Sequence, residues 1–243
     1  MTGESWPKMT SMRDWILRSN LWCTALCATM LCATGGVSAQ DAPAPAPADP
    51  GYLHIVAVAP GYQGRAPMDD RWIIYLEGFI DSGAAARLAG LFDRRQIDRA
   101  IVFFNSPGGH LVEAMGVGRL LRQRGFDTDV GGRAPDSVLA RPGVCYSACP
   151  FAYAGGVRRS LEPGSTLGVH RAANNVPVPD EGAFQGVVSD QTAGYLAEMG
   201  ISQDLLAIMS EVSHDSIREL TRQEAERLGL LNSSLPPPAA TPR

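Results

Sequence analysis

The sequence predicts an α/β fold. Short apolar runs that read as strands alternate with helical patterns from Leu53 to Gly229. The clearest run, Ile101-Val102-Phe103-Phe104, stops at a breaker, Asn105-Ser106-Pro107-Gly108-Gly109, and a helical pattern follows. Further on, Cys145-Tyr146-Ser147-Ala148-Cys149-Pro150 opens a second short helix, and Val169-His170 ends another strand. A Gly-Gly turn, a serine at a helix start and a histidine at a strand end are the parts of an acyl-transfer site.

Taken in order, Leu53 to Ala59 and Trp72 to Leu76 read as strands, the second ended by Gly78. Ser82 is an N-cap candidate for a helix to about Arg95, with Leu88, Leu91 and Phe92 on one face. After Gly109, the residues Leu111, Ala114, Met115, Gly118 and Leu121 recur at helical spacing, and Gly125 is the expected C′ residue. A short strand near Thr128–Val130 leads into a Gly/Pro-rich loop at 131–143. Pro150 is tolerated only in a first helical turn, so the helix is expected to start at about Ser147 and reach Tyr153. Arg158–Leu161 and Thr166–Val169 read as strands around Glu162-Pro163-Gly164. Residues 172–188 lack periodicity and are expected to form a loop. Helices are expected over Ser189–Met199 and Ser202–Val212. The spacing Thr221-x-x-Glu224 predicts a capping box for a last helix that stops at Gly229.

Composition narrows the function. The chain has 243 residues, 45% of them apolar, and a formal net charge of −4, so it lacks a basic footprint for nucleic acid. Residues 1–39 read as an export signal. Lys8, Arg13 and Arg18 precede an apolar stretch from Leu21 to Ala33, and Val37-Ser38-Ala39 is a small-x-small cleavage site before Gln40. The competing reading is an uncleaved membrane anchor. Cleavage removes Lys8, Arg13, Arg18, Glu4 and Asp14, which leaves 18 arginines, no lysine and a net charge of −5. Every lysine-based mechanism is thereby excluded from the mature chain. Residues 40–51 are a Pro/Ala-rich spacer, 52–232 the α/β domain, and 233–243 a Pro-rich tail expected to be disordered.

Export leaves Cys145 and Cys149 as the two remaining cysteines, in an oxidising compartment. A four-residue separation across a helix start brings the Cα atoms to about 6 Å, within disulfide range, so a bridge astride Ser147 is expected. Two buried free thiols are the alternative. With a histidine the pair is one ligand short of a closed zinc site, so no metal is expected. A Cys149 thiolate is a rival nucleophile.

For the site itself, Ser147 is the expected nucleophile and His170 the base. Asp215 is chosen as the residue that orients the ring, with Asp204 and Asp190 as alternatives. The oxyanion would be held by the amide of Ala148 and by that of Gly108 or Gly109. Taken alone, Ser147 could be a helix N-cap and His170 a packed core residue. His214 beside Asp215 is a rival base, and His110 reads as a surface residue.

From about Trp72 to Leu231 these residues resemble the proteolytic subunit of the Clp protease, ClpP, within the ClpP/crotonase superfamily. Asn105-Ser106-Pro107-Gly108-Gly109 matches that family's oxyanion turn, Ser147-Ala148 its nucleophile, Val169-His170 its base, and Leu220-Thr221-x-x-Glu224-Ala225 with Leu228-Gly229-Leu230 its closing segment. The resemblance implies a spiral of repeated ββα units, a Ser-His-Asp triad, a peptide or protein substrate, no cofactor, and a homo-oligomer built through residues 189–212. The chain departs from the pattern in three ways. The family's aspartate aligns near Ile217, two residues from Asp215; the cysteine pair is additional; and the loop at 131–143 is longer. With its export signal the chain resembles most the predicted periplasmic ClpP-like branch, where no ATPase partner is expected. The alternatives are a catalytically silent binding or scaffold protein on the same fold, and a crotonase-like acyl-thioester enzyme.

Overall fold

The structure is a computed structural model that describes residues 52–61, 70–134, 140–172 and 180–233. The expected export signal, the whole spacer and all of the tail but Ser233 lie outside the described residues. Within them, no helix is long and apolar enough to cross a membrane.

An antiparallel strand, β1 (Leu53–Val58), precedes four units of one design, each a strand, a kink, a second extended segment and a helix. The first unit runs through β2 (Trp72–Gly78), Ile80 and α1 (Ala84–Arg95). The second is β3 (Ala100–Asn105), the turn at 106–109 and α2 (Leu111–Arg124). The third is β4 (Asp127–Val130), a two-residue hairpin of β5 (Gly132–Arg133) with β6 (Ala140–Arg141), then β7 (Val144–Tyr146) and α3 (Cys149–Ala154). The fourth has Arg159 bridged to Thr128, then β8 (Thr166–Val169) and α4 (Glu181–Met199). The chain closes with α5 (Asp204–Ser210), β9 (Arg218–Leu220) and α6 (Arg222–Arg227).

First strands pair in the order β1-β2-β3-β4, parallel from β2 onward. Second segments form another layer: Ile80 bridges Gly109, Ser106 bridges Cys145, β7 runs parallel to β8, and β9 closes antiparallel to β8. The expected ββα architecture is therefore present. Both faces of the main sheet are covered. Ile74, Leu76, Val102 and Phe104 are fully buried on one side, while Tyr75 and Phe103 stack at 5.2 Å on the other. Burying a side chain such as Phe104 stabilises the fold by about 1.5–3 kcal/mol.

Several local expectations change. Helix α1 starts from Gly83 at φ 81°, and Ser82 gives it no cap; the Ser82 hydroxyl instead meets His110 Nδ1 at 3.1 Å. Helix α3 begins at Cys149, two residues later than expected, because Pro150 is equally tolerated at its second position. Residues 158–161 make only the single bridge at Arg159. Helix α4 begins at Glu181, eight residues before Ser189, with the Asp180 carboxylate accepting from the Ala183 amide at 2.9 Å. The described side chains of its first half, at 182–183 and 186–190, are mostly exposed, so they mark no buried face. The capping box at Thr221 and Glu224 is formed in both directions.

Two arginines secure the far end of α3. Arg122 donates to the carbonyls of Ala154, Gly155, Gly156 and Met199. Arg159, only 4% exposed, donates to Ala154 and Gly156 and also to Gly229 and Leu230 near the end of the domain. The last described residues return to the same place, since the amides of Asn232 and Ser233 bond the Arg159 carbonyl.

Candidate active site

Three neighbouring segments of the second layer carry the site. Ser106 donates its amide to Val144 and accepts from the Tyr146 amide, which sets the turn after β3 beside the end of β7. The Ser147 amide then donates to the Gly168 carbonyl at 3.0 Å, two residues before His170. Gly108, Ser147 and His170 are thus held together by main-chain bonds of consecutive strands.

Ser147 sits between strand and helix at φ 59°, one of two non-glycine residues with positive φ among the described residues. That conformation costs about 1–2 kcal/mol for an L residue. It turns the side chain out of the strand, so that Oγ lies 2.7 Å from His170 Nε2. His170 Nδ1 lies 2.8 Å from the Arg171 carbonyl oxygen. A carbonyl can only accept, so the ring proton is on Nδ1, and the bare Nε2 accepts the Ser147 hydroxyl proton. His170 is 8% exposed. Burial pushes its pKa below the ordinary histidine value; the Arg171 carbonyl and Asp215 oppose this, and His214 adds to it.

The glycines are required by space. Gly108 is at φ 116°, and a Cβ there would lie 2.6 Å from the Ser147 Cβ; one on Gly109 would meet the Ile80 backbone. The Gly108 amide donates to the Ser106 hydroxyl at 3.1 Å, so it is already committed. The amides of Gly109 and Ala148 bond no group among the described residues; Ala148 directly follows Ser147, and Gly109 directly follows Gly108, which packs against Ser147. Between the two expected glycines, Gly109 is therefore the one with a donor to offer.

Cys145 and Cys149 form a disulfide with Cα atoms 5.1 Å apart, and both are fully buried. Among the described residues no group of three or more His, Cys, Asp or Glu side chains comes together that could hold a metal ion.

Asp215 makes no hydrogen bond to His170. Its carboxylate pairs with His214 Nδ1 at 3.1 Å and its side chain is 81% exposed. The Arg171 carbonyl makes the orienting contact expected of it. Asp190 and Asp204 are exposed and bond neither histidine. His214 approaches only edge-on, with ring centroids 6.5 Å from those of His170. His110 bonds Ser82 beyond the Gly-Gly turn. The sequence reading missed two groups. A main-chain carbonyl has no sequence signature; the Ser106 hydroxyl, which braces Gly108, does have one in the Ser-Pro-Gly turn pattern.

No protein-family model and no curated protein matches the chain. Among solved structures it is similar to a mutant of 1510-N, a membrane-bound stomatin-specific protease, at 15% identity and TM-score 0.45, over 65% of this chain and 75% of that one. It is similar to ClpP1 from Listeria monocytogenes at 18% identity and TM-score 0.49, over 65% of this chain and 88% of that one. A point mutant of that ClpP1 gives 17% identity, TM-score 0.49 and the same coverage. The neighbours of this fold among solved structures thus include ClpP and a stomatin-specific protease.

Proposed function

We propose that the chain is a serine hydrolase, a ClpP-like peptidase that works without ATP, metal or cofactor. The observation that carries the reading is the 2.7 Å contact between Ser147 Oγ and the unprotonated Nε2 of His170. Ser147 Oγ attacks the scissile carbonyl carbon while its proton passes to Nε2. The carbonyl oxygen takes up the electron pair and is held by the Gly109 and Ala148 amides. Collapse breaks the bond to the leaving amine, which departs with the proton from Nε2. Water then enters, gives a proton to His170 Nε2 and attacks the acyl carbon; collapse breaks the bond to Ser147 Oγ, which takes the proton back from Nε2 as the acid leaves. The Arg171 carbonyl keeps the ring in the tautomer this needs. A peptide or protein substrate and self-assembly are carried over from the resemblance to ClpP.

A second reading, a silent scaffold on the same fold, is favoured by one observation. A neutral carbonyl stands where a carboxylate would also stabilise the imidazolium. A fluorophosphonate probe on the purified domain decides. Labelling that disappears in Ser147→Ala supports the hydrolase. Absence of labelling, together with absence of peptide and ester hydrolysis, supports the scaffold. We also propose export with cleavage after Ala39. Mass spectrometry of the mature protein should find Gln40 first, and a chain that keeps residues 1–39 in the membrane fraction would show an anchor instead.

A further inference from the structure

We infer that the Cys145–Cys149 disulfide is a positioning element for catalysis, which holds Ser147 in the left-handed turn that aims its Oγ at His170. The inference rests on the serine-hydrolase reading above.

Cys145 is the middle residue of β7 and Cys149 the first of α3, so the bond ties strand to helix across the turn. The closed ring spans Tyr146, Ser147 and Ala148. It therefore contains both the attacking oxygen and one of the two amides that would receive the oxyanion. A positive φ on a serine persists only where the surroundings over-determine it. On the strand side they do: Tyr146 donates to Ser106 and Ser147 donates to Gly168, each at 3.0 Å.

On the helix side the means are different. The Ala148 amide must stay free if it is to hold an oxyanion, and it bonds nothing among the described residues. A hydrogen bond at that point would fix the turn but occupy the donor. The disulfide fixes it without using the amide. Both cysteines are fully buried, so the tie is made inside the fold. Without it, Ser147 can relax to negative φ, which swings Oγ away from Nε2 and re-aims the Ala148 amide. Substrate binding by the rest of the surface is unchanged, so the loss falls on kcat.

The test compares the mature wild-type chain with the Cys145→Ala/Cys149→Ala double variant on an activated ester. The expected result is a fall in kcat of about tenfold, with KM within about twofold and the acid limb of the pH profile in place. The rate of fluorophosphonate labelling should fall in parallel, while far-UV circular dichroism stays the same. Equal kcat in the two proteins overturns the inference. If the double variant does not fold, wild-type protein is treated with a small dithiol. The dithiol becomes a disulfide, and Cys145 and Cys149 take up its two electrons and two protons. Activity that is lost with the appearance of two free thiols and regained on reoxidation supports the inference; full activity with both thiols free overturns it. Oxidised wild-type protein that neither labels nor hydrolyses removes the hydrolase reading and this inference with it, an outcome distinct from equal rates in both redox forms.

Discussion

Gly108 and Ser147 face each other with no room for a methyl group between them: a Cβ on Gly108 would lie 2.6 Å from the Ser147 Cβ and 2.9 Å from the Tyr146 carbonyl. The φ of 116° at Gly108 adds a second reason against any side chain. In Gly108→Ala the backbone on one side must retreat and take a reacting group with it. Steady-state kinetics should show kcat/KM lower by on the order of 100-fold. Urea unfolding should show a loss of about 1–3 kcal/mol.

The Ser106 hydroxyl accepts from the Gly108 amide at 3.1 Å and donates to the Gly108 carbonyl at 3.2 Å, in a fully buried position. Ser106→Ala leaves that amide without a partner, at a cost of about 1–3 kcal/mol. The turn can then rotate, and the Gly109 amide loses its aim. A fall in kcat of about tenfold with little change in KM is expected, whereas Ser106→Thr, which keeps the hydroxyl, should retain more activity.

Ser147→Ala and His170→Ala should each lower turnover on the order of 10⁴-fold or more, and the double variant should be no worse than either, since the two groups act as a unit. Asp215→Asn should cost less than about threefold, because its exposed carboxylate pairs with His214 and not with the base. A loss approaching that of His170→Ala would show that Asp215 reaches the ring during turnover.

The pH dependence follows from the lowered pKa of His170, which burial causes first. The acid limb of kcat/KM should have its midpoint below the ordinary value of 6.5. His214→Ala removes a like charge from beside the ring and should move that midpoint upward. Stability has the matching sign. Between the folded and unfolded pKa values the unfolded chain binds more protons, so this contribution is complete above pH 6.5 and is lost as pH falls toward the folded value. Urea midpoints across that window would check the direction.

Much of this arrangement was legible in the residues. Ile101 to Phe104 and the helix after Gly109 carry strong periodicities, and Thr221 with Glu224 is a cap whose two bonds need only local geometry. Ser147 and His170 were readable because a serine at a helix start and a histidine at a strand end are side-chain signals. The partner of His170 was not, because the accepting atom belongs to the backbone of Arg171 and any residue type could supply it. Strand β9 is three residues long, too short for a period to show. The start of α4 escaped for the opposite reason: the sequence of its first half mixes small and apolar residues evenly, so no contrast between faces marks the turn of the helix.

Arg159 imposes an order on the making of this domain. Its guanidinium is buried among four carbonyls, two within five residues of it in sequence and two about seventy residues further on, at Gly229 and Leu230. A chain synthesised or threaded only as far as β8 would leave some of those donors unmet, and a desolvated cation short of acceptors is strongly unfavourable. Arg122 can hold the far end of α3 earlier, but the share of that end held by Arg159 is completed only when the last turn of the polypeptide arrives. A nascent chain would in this way lack that part of its packing until its own synthesis is nearly finished.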